Sequence, residues 1–199
     1  MTGARLRGLL LGITAVLAGL VLLAWSQPWF TLTLTPGSGE GAPLVVRGDV
    51  AAGALAPLAL TTLALVAALA ISGRVFRVIL GVLEAFVGVS VVIVAAVALG
   101  DPAGASASAV TSATAVTGHD SVRALIESVD SSAWPVVAVV LGAILAVTGA
   151  LCAVTGPRWP VSGRRYSRTR TAPVEGAEPD PIAEWDALSE GDDPTGTAR

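Results

Sequence analysis

The sequence has no lysine, one cysteine, one histidine and one tyrosine among its 199 residues. Each shortage removes a class of chemistry. A single cysteine, Cys152, excludes an intrachain disulfide. It lies inside an apolar run, where a thiol acts as a small apolar filler. His119, alone in a polar stretch, and the remote Cys152 make no ligand set for zinc. No Gly-rich phosphate loop, nucleophile elbow or kinase motif occurs. Neither an enzymatic activity nor a cofactor is therefore expected. Every cationic residue is arginine, which we read as compositional bias.

Charge is also scarce. Only 14% of the residues are charged, against roughly 25% in a soluble domain. Hydrophobic residues make up 53%, and the mean hydropathy is +0.74. This is the composition of a membrane protein, with the lipid bilayer as its first partner. The net charge of −3 comes from the far C-terminus, and no nucleic-acid partner is expected.

What the sequence does have is long apolar runs. A helix needs about 20 mostly apolar residues to cross a bilayer. Runs at 6–25, 53–72, 75–99 and 134–154 meet that need. Ser72-Gly73-Arg74 joins the second run to the third and leaves room only for a tight turn, so these two form an antiparallel hairpin. Arginine placement sets the orientation, because cytoplasmic flanks hold the excess of cations. With four spans, Arg5, Arg7, Arg74, Arg77, Arg158, Arg164, Arg165, Arg168 and Arg170 share one side. Arg47 and Arg123 take the other. Both termini are then cytoplasmic. The competing reading of the first run is a signal peptide cut near Ala24-Trp25-Ser26. It fits poorly, because signal cores run to about 7–15 residues.

Aromatic residues are only 5% of the chain, and the tryptophans fall where the apolar runs stop. Indole rings concentrate at membrane boundaries, since the ring is apolar and the N–H wants a polar partner. Trp25, Trp29 and Trp134 are expected as anchors at the outer boundary, Trp159 and Tyr166 at the inner one. Pro28 ends the first helix.

Residues 30–35 alternate apolar and polar, the period of a half-buried strand. A Gly/Pro turn follows at 36–41, and Leu44-Val45-Val46 reads as the return strand. A β-hairpin on the outer face is predicted. In the second outer loop, 103–117 is small and polar, either irregular or adding a strand through Val110 and Val116. Val122, Leu125, Ile126 and Val129 then fall on one helical face, with Asp120 as N-cap. The expected fold is all-α and integral to the membrane. It is an antiparallel four-helix transmembrane bundle with an extracytoplasmic β-hairpin in the first outer loop and a short amphipathic helix in the second.

Small residues mark helix contacts in lipid, where apolar burial gives no drive for helices to associate. The sets are Gly8, Gly12, Ala15 and Gly19; Gly81, Ala85 and Gly88; and Gly142, Ala146, Gly149 and Ala153. They imply tight helix packing, with a homo-oligomer contact as a further use. Glu84 is the one acid within a run. A charge at mid-membrane costs roughly 2.5–3.5 kcal/mol on the insertion scale. Two readings stand: a proton or solute site, or a carboxyl neutralised by a proton or by Arg77 and bonded to a neighbouring helix. Arg164, Arg165, Arg168 and Arg170 enforce topology and can also bind anionic lipid headgroups.

Residues 1–170 read as the membrane domain, and 171–199 as a disordered, acidic, Pro-rich cytoplasmic tail. Within the tail, Ile182, Trp185 and Leu188 have helical spacing, a docking motif for a cytosolic protein partner.

Several segments together resemble a known family. They are Trp25 with Pro28-Trp29, Ala56-Pro57-Leu58-Ala59-Leu60, and Arg158-Trp159-Pro160-Val161-Ser162-Gly163-Arg164-Arg165-Tyr166-Ser167-Arg168. Trp185-Asp186-Ala187-Leu188 with Asp193-Pro194-Thr195 adds to them. The chain is similar to the tryptophan biosynthesis-associated membrane proteins of bacteria. Ser162 departs from the bulkier residue common there. The resemblance implies four spans, a bacterial plasma membrane location, and genes lying among those for tryptophan synthesis. It carries no reaction and no catalytic residues. The expected function is a non-enzymatic scaffold or regulatory factor. The alternative is a small oligomeric transporter of tryptophan, indole or a precursor.

Overall fold

The structure is a computed structural model and describes residues 3–35 and 43–159. It is mostly helical, with a three-stranded sheet at one end. Helix α1 spans Gly3–Ser26 and stops before Pro28, whose missing N–H cannot continue the ladder. Strand β1 (Pro28–Leu34) and strand β2 (Leu44–Arg47) follow, then a short turn of helix, α2 (Gly48–Ala51). Helix α3 (Leu55–Ile71) leads through Ser72 and Gly73 into helix α4 (Arg74–Gly100). Short helices α5 (Pro102–Ala105), α6 (Ala107–Thr114) and α7 (His119–Ala124) precede strand β3 (Ile126–Ser131). Helix α8 (Trp134–Thr155) ends in a turn of 3-10 helix, Gly156–Arg158.

Three helical segments are long and apolar enough to cross a membrane: Arg5–Ser26, Arg74–Gly100 and Trp134–Arg158. Helix α3 is shorter, at 17 residues. At 1.5 Å rise per residue it extends about 25 Å, against roughly 30 Å of hydrocarbon. The outward faces are apolar in the way lipid requires. Along α4, Phe76, Ile79, Leu83, Phe86, Ile93 and Val97 are all exposed, a stripe larger than water-soluble surfaces carry.

Helix α4 packs most extensively against α8, and α1 lies against α3 and α8. The α4–α8 contact follows from its small residues. A Cβ built on Gly81 would lie 2.5 Å from Ala153 N, one on Gly149 2.4 Å from Ala85 N, and one on Gly88 2.3 Å from Ala146 N. No side chain fits at those separations, so glycine is what lets the two backbones approach. The expectation of tight contact is met on these two helices. On α1 the outcome differs, since Gly8, Gly12 and Gly19 face open space. The buried face of α1 is instead Leu10, Thr14, Leu17, Ala18, Val21 and Ala24. Gly8 and Gly12 line an apolar groove on the lateral surface with Leu9, Ile13 and Val16.

The sheet has strand order β2-β1-β3 and is antiparallel throughout. The expected hairpin is present, with Thr31 opposite Val45 and Leu32 opposite Leu44; the 36–41 turn lies outside the described residues. The second loop differs from expectation. The amphipathic helix ends at Ala124, and Ile126–Ser131 becomes a third strand, pairing Thr31 with Asp130 and Leu32 with Val129. Its N-cap is Gly118 rather than Asp120. A lone hairpin is marginal, and β3 completes the second edge of β1, whose Trp29, Phe30 and Leu32 are fully buried. Buried backbone must be paired, and this tertiary demand overrides the local helical spacing. Residues 107–114, where a strand through Val110 was one option, are helical.

Candidate functional site

Two polar features lie among the apolar helices: a carboxyl cluster midway along α4, and an arginine at its start. Glu84 is fully buried on α4. Its Oε1 is hydrogen-bonded to the Thr14 hydroxyl of α1 at 2.8 Å, with the Thr148 hydroxyl of α8 at 3.5 Å. Thr14 also bonds Leu10 O within its own helix at 3.0 Å, and Thr148 bonds Leu145 O at 2.8 Å. Glu84 Oε2 is buried without a partner. Cys152, one turn beyond Thr148, borders the same carboxyl and is covered by Leu10 of α1 and by Trp159. Three helices thus converge on one carboxyl, while α3 contributes no titratable side chain.

Arg77 is not the partner of Glu84. Its guanidinium Nη1 donates to Trp159 O at 3.2 Å and to Gly156 O at 3.4 Å, and it stacks 5.7 Å from the centre of the Trp159 ring. These carbonyls lie just past the end of α8, Gly156 O also accepting the Trp159 backbone N–H at 3.2 Å. Arg7 does the same for α3, donating to Ala70 O. Both arginines therefore hold helix C-termini, where a cation also complements the helix dipole. Among the described residues the one salt bridge is Arg123–Asp101, at 2.6 Å and well exposed.

The tryptophans divide. Trp25 and Trp134 are half-buried, each at the sheet end of a long helix. Trp29 and Trp159 are fully buried within the protein. Trp29 donates its indole N–H to Ala24 O at 2.8 Å, closing the end of α1. It stands edge-to-face with Phe30 at 6.2 Å, and Gly48 passes so close that a Cβ there would meet Trp29 Nε1 at 2.6 Å. Position at the end of an apolar run was visible in the sequence; the side to which the ring turns was not. Tyr166, Arg164, Arg165, Arg168, Arg170 and the Ile182, Trp185 and Leu188 motif lie outside the described residues.

Sequence reasoning singled out Glu84 and missed Thr14 and Thr148. The available signal was the spacing of Leu10, Thr14, Leu17 and Val21, which puts a hydroxyl on an otherwise apolar helical face.

Long apolar helices, lipid-like outer faces and glycine-mediated helix contact define an integral membrane protein. The match of a family model over residues 11–195 is more specific, and the chain belongs to the tryptophan-associated transmembrane protein family. No curated protein and no solved structure matched.

Proposed function

We propose that the chain is a non-enzymatic scaffold or regulatory factor of tryptophan biosynthesis, crossing the bacterial plasma membrane four times with both termini in the cytoplasm. The observation that carries the four-span reading is the pairing of helix ends. Arg7 at the start of α1 reaches the end of α3, and Arg77 at the start of α4 reaches the end of α8. The sheet lies between the opposite ends, with Gly48 N donating to Gln27 O at 3.0 Å and Ser132 N to Trp29 O at 2.9 Å. Helix α3 begins just after β2 on the sheet side and ends beside the start of α1. If α1, α4 and α8 cross the bilayer, α3 crosses with them as part of an antiparallel four-helix bundle. Its short length is compatible with local thinning of the bilayer.

The backbone contact between α4 and α8 favours a scaffold over a solute path through one chain. The segments this reading assigns to partners are the arginine-rich stretch and the tail around Ile182, Trp185 and Leu188. Crosslinking in membranes under tryptophan limitation, followed by affinity recovery, tests this. A Trp anchor truncated at an interface costs at least about 2 kcal/mol, so Trp185→Ala should weaken recovery of a cytosolic partner roughly thirtyfold. Equal recovery by the intact chain, Trp185→Ala and a chain stopped at Thr171 would refute a docking tail.

The outward groove along Gly8, Gly12 and Val16 favours a second reading, an oligomeric transporter of tryptophan, indole or a precursor. Flux into proteoliposomes that contain the purified protein decides between the two.

A further inference from the structure

We propose that Glu84 is a proton-binding site within the membrane: its proton forms the bridge to Thr14 that holds α1 closed over Cys152, and losing that proton releases α1 from α4 and α8. The argument starts from proton counting. A threonine hydroxyl has one hydrogen to donate and lone pairs to accept with. Thr14 Oγ1 has two acceptors in reach, Leu10 O at 3.0 Å and Glu84 Oε1 at 2.8 Å, and one hydrogen for the pair; we assign it to Leu10 O, as the Thr148 hydrogen goes to Leu145 O at 2.8 Å. The remaining 2.8 Å contact between Thr14 Oγ1 and Glu84 Oε1 then needs a hydrogen from the carboxyl. A neutral acid supplies it, and the partnerless Oε2 becomes an ordinary carbonyl oxygen. A carboxylate would leave a charged oxygen buried with no nitrogen or oxygen donor, only the weakly donating Cys152 thiol beside it.

The surroundings offer no cation to the ionised form. Arg77, on the same helix, is committed to Gly156 O and Trp159 O. Arg7 of α1 is committed to Ala70 O. Helix α8 presents Thr148 and Cys152, and α3 presents no titratable group. An ionised Glu84 would have only the Thr14 and Thr148 hydroxyls and the Cys152 thiol as donors and no cation; further stabilisation needs water, which reaches it only if a covering helix moves. Helix α1 is the one tied by this bond, through Thr14, and Leu10 of the same helix covers Cys152.

Cys152 is the chain's single cysteine and is fully buried, which makes it a native reporter of that movement. The experiment follows N-ethylmaleimide labelling of Cys152 in proteoliposomes, for wild type, Glu84→Gln, Thr14→Val and Thr14→Ser. At neutral pH, wild type and Glu84→Gln should label equally slowly, since the glutamine N–H replaces the acid O–H. Thr14→Val should label about fivefold to tenfold faster, the worth of one hydrogen bond, and Thr14→Ser should return to the wild-type rate. Raising the pH speeds both wild type and Glu84→Gln through the thiol itself, so the ratio of their rates is the readout. That ratio should rise about fivefold or more. A carboxylate charge beside a closed Cys152 would repel the attacking thiolate and push the ratio the other way. A ratio that stays at unity or falls overturns the proposal, as does Thr14→Val labelling at the wild-type rate. Infrared spectra give an independent arm. A carboxylic-acid C=O band should be present in wild type at neutral pH and absent in Glu84→Gln, and its absence from wild type also overturns the assignment.

Discussion

Asp101 shows how a single side chain can fix a chain reversal at the end of a long helix. Its Oδ1 accepts the Gly104 backbone N–H at 2.9 Å, capping α5, and its Oδ2 meets Arg123 Nη2 at 2.6 Å. The Gly104 amide holds the carboxyl below its ordinary range; burial opposes it, and the Arg123 guanidinium adds to the lowering. A carboxylate whose folded-state value is depressed stabilises fully above its unfolded value, and the contribution is lost as pH falls through the folded one. The Tm difference between wild type and Asp101→Ala should thus be greatest near neutrality and close on acidification below the usual carboxylate range. A pH-independent difference would argue against the ionised contacts. Residue identity was partly legible at this scale. Glu84 stands out in sequence as an acid in an apolar run, but its partners Thr14 and Thr148 lie 70 and 64 residues away. Nothing local marks such a pairing, and the nearby Arg77, the partner that spacing suggests, is drawn instead to helix-end carbonyls.

Between elements, equal sequence signals have unequal outcomes. The glycines of α1 and those of α4 and α8 look alike in spacing, yet only the latter sit in a backbone contact. Which face of a helix meets a neighbour depends on all the helices at once, and spacing alone does not encode it. This difference gives a paired test. Gly149→Ala forces a Cβ to 2.4 Å from Ala85 N and should cost about 1–3 kcal/mol, as overpacking does. Gly12→Ala, with open space around it, should be neutral or stabilise by about 0.5–1 kcal/mol, as alanine replaces glycine in a helix. Unfolding in detergent micelles measures both, and equal effects would contradict the seam. The sheet teaches the same lesson. The β1–β2 hairpin was legible because alternation and a Gly/Pro turn are local signals. Strand β3 was not, because Val122, Leu125, Ile126 and Val129 fit a helix equally well, and only the open edge of β1 selects a strand for Ile126–Ser131.

For the molecule as a whole, the four-span reading makes a direct statement about sidedness. Reporter fusions at residues 73 and 175 should read as cytoplasmic, and fusions at 40 and 115 as external. An external signal at 73 would refute α3 as a crossing segment. The apolar runs made the membrane-crossing character legible, and the arginine bias is the ground for the sidedness these fusions test. The pairing of helix ends has a further consequence, in time rather than space. Arg7 meets its acceptor 63 residues later in the chain, and Arg77 meets its acceptors 79 and 82 residues later. At roughly 5–20 residues per second of synthesis, each arginine waits about 3–16 seconds for the carbonyls it will hold. In the proposed topology it is free during that wait to mark the cytoplasmic side for insertion. In that topology the same guanidinium would first report orientation to the insertion machinery and later fasten a neighbouring helix, so replacing Arg77 with an uncharged residue would disturb two separate stages in the life of one chain.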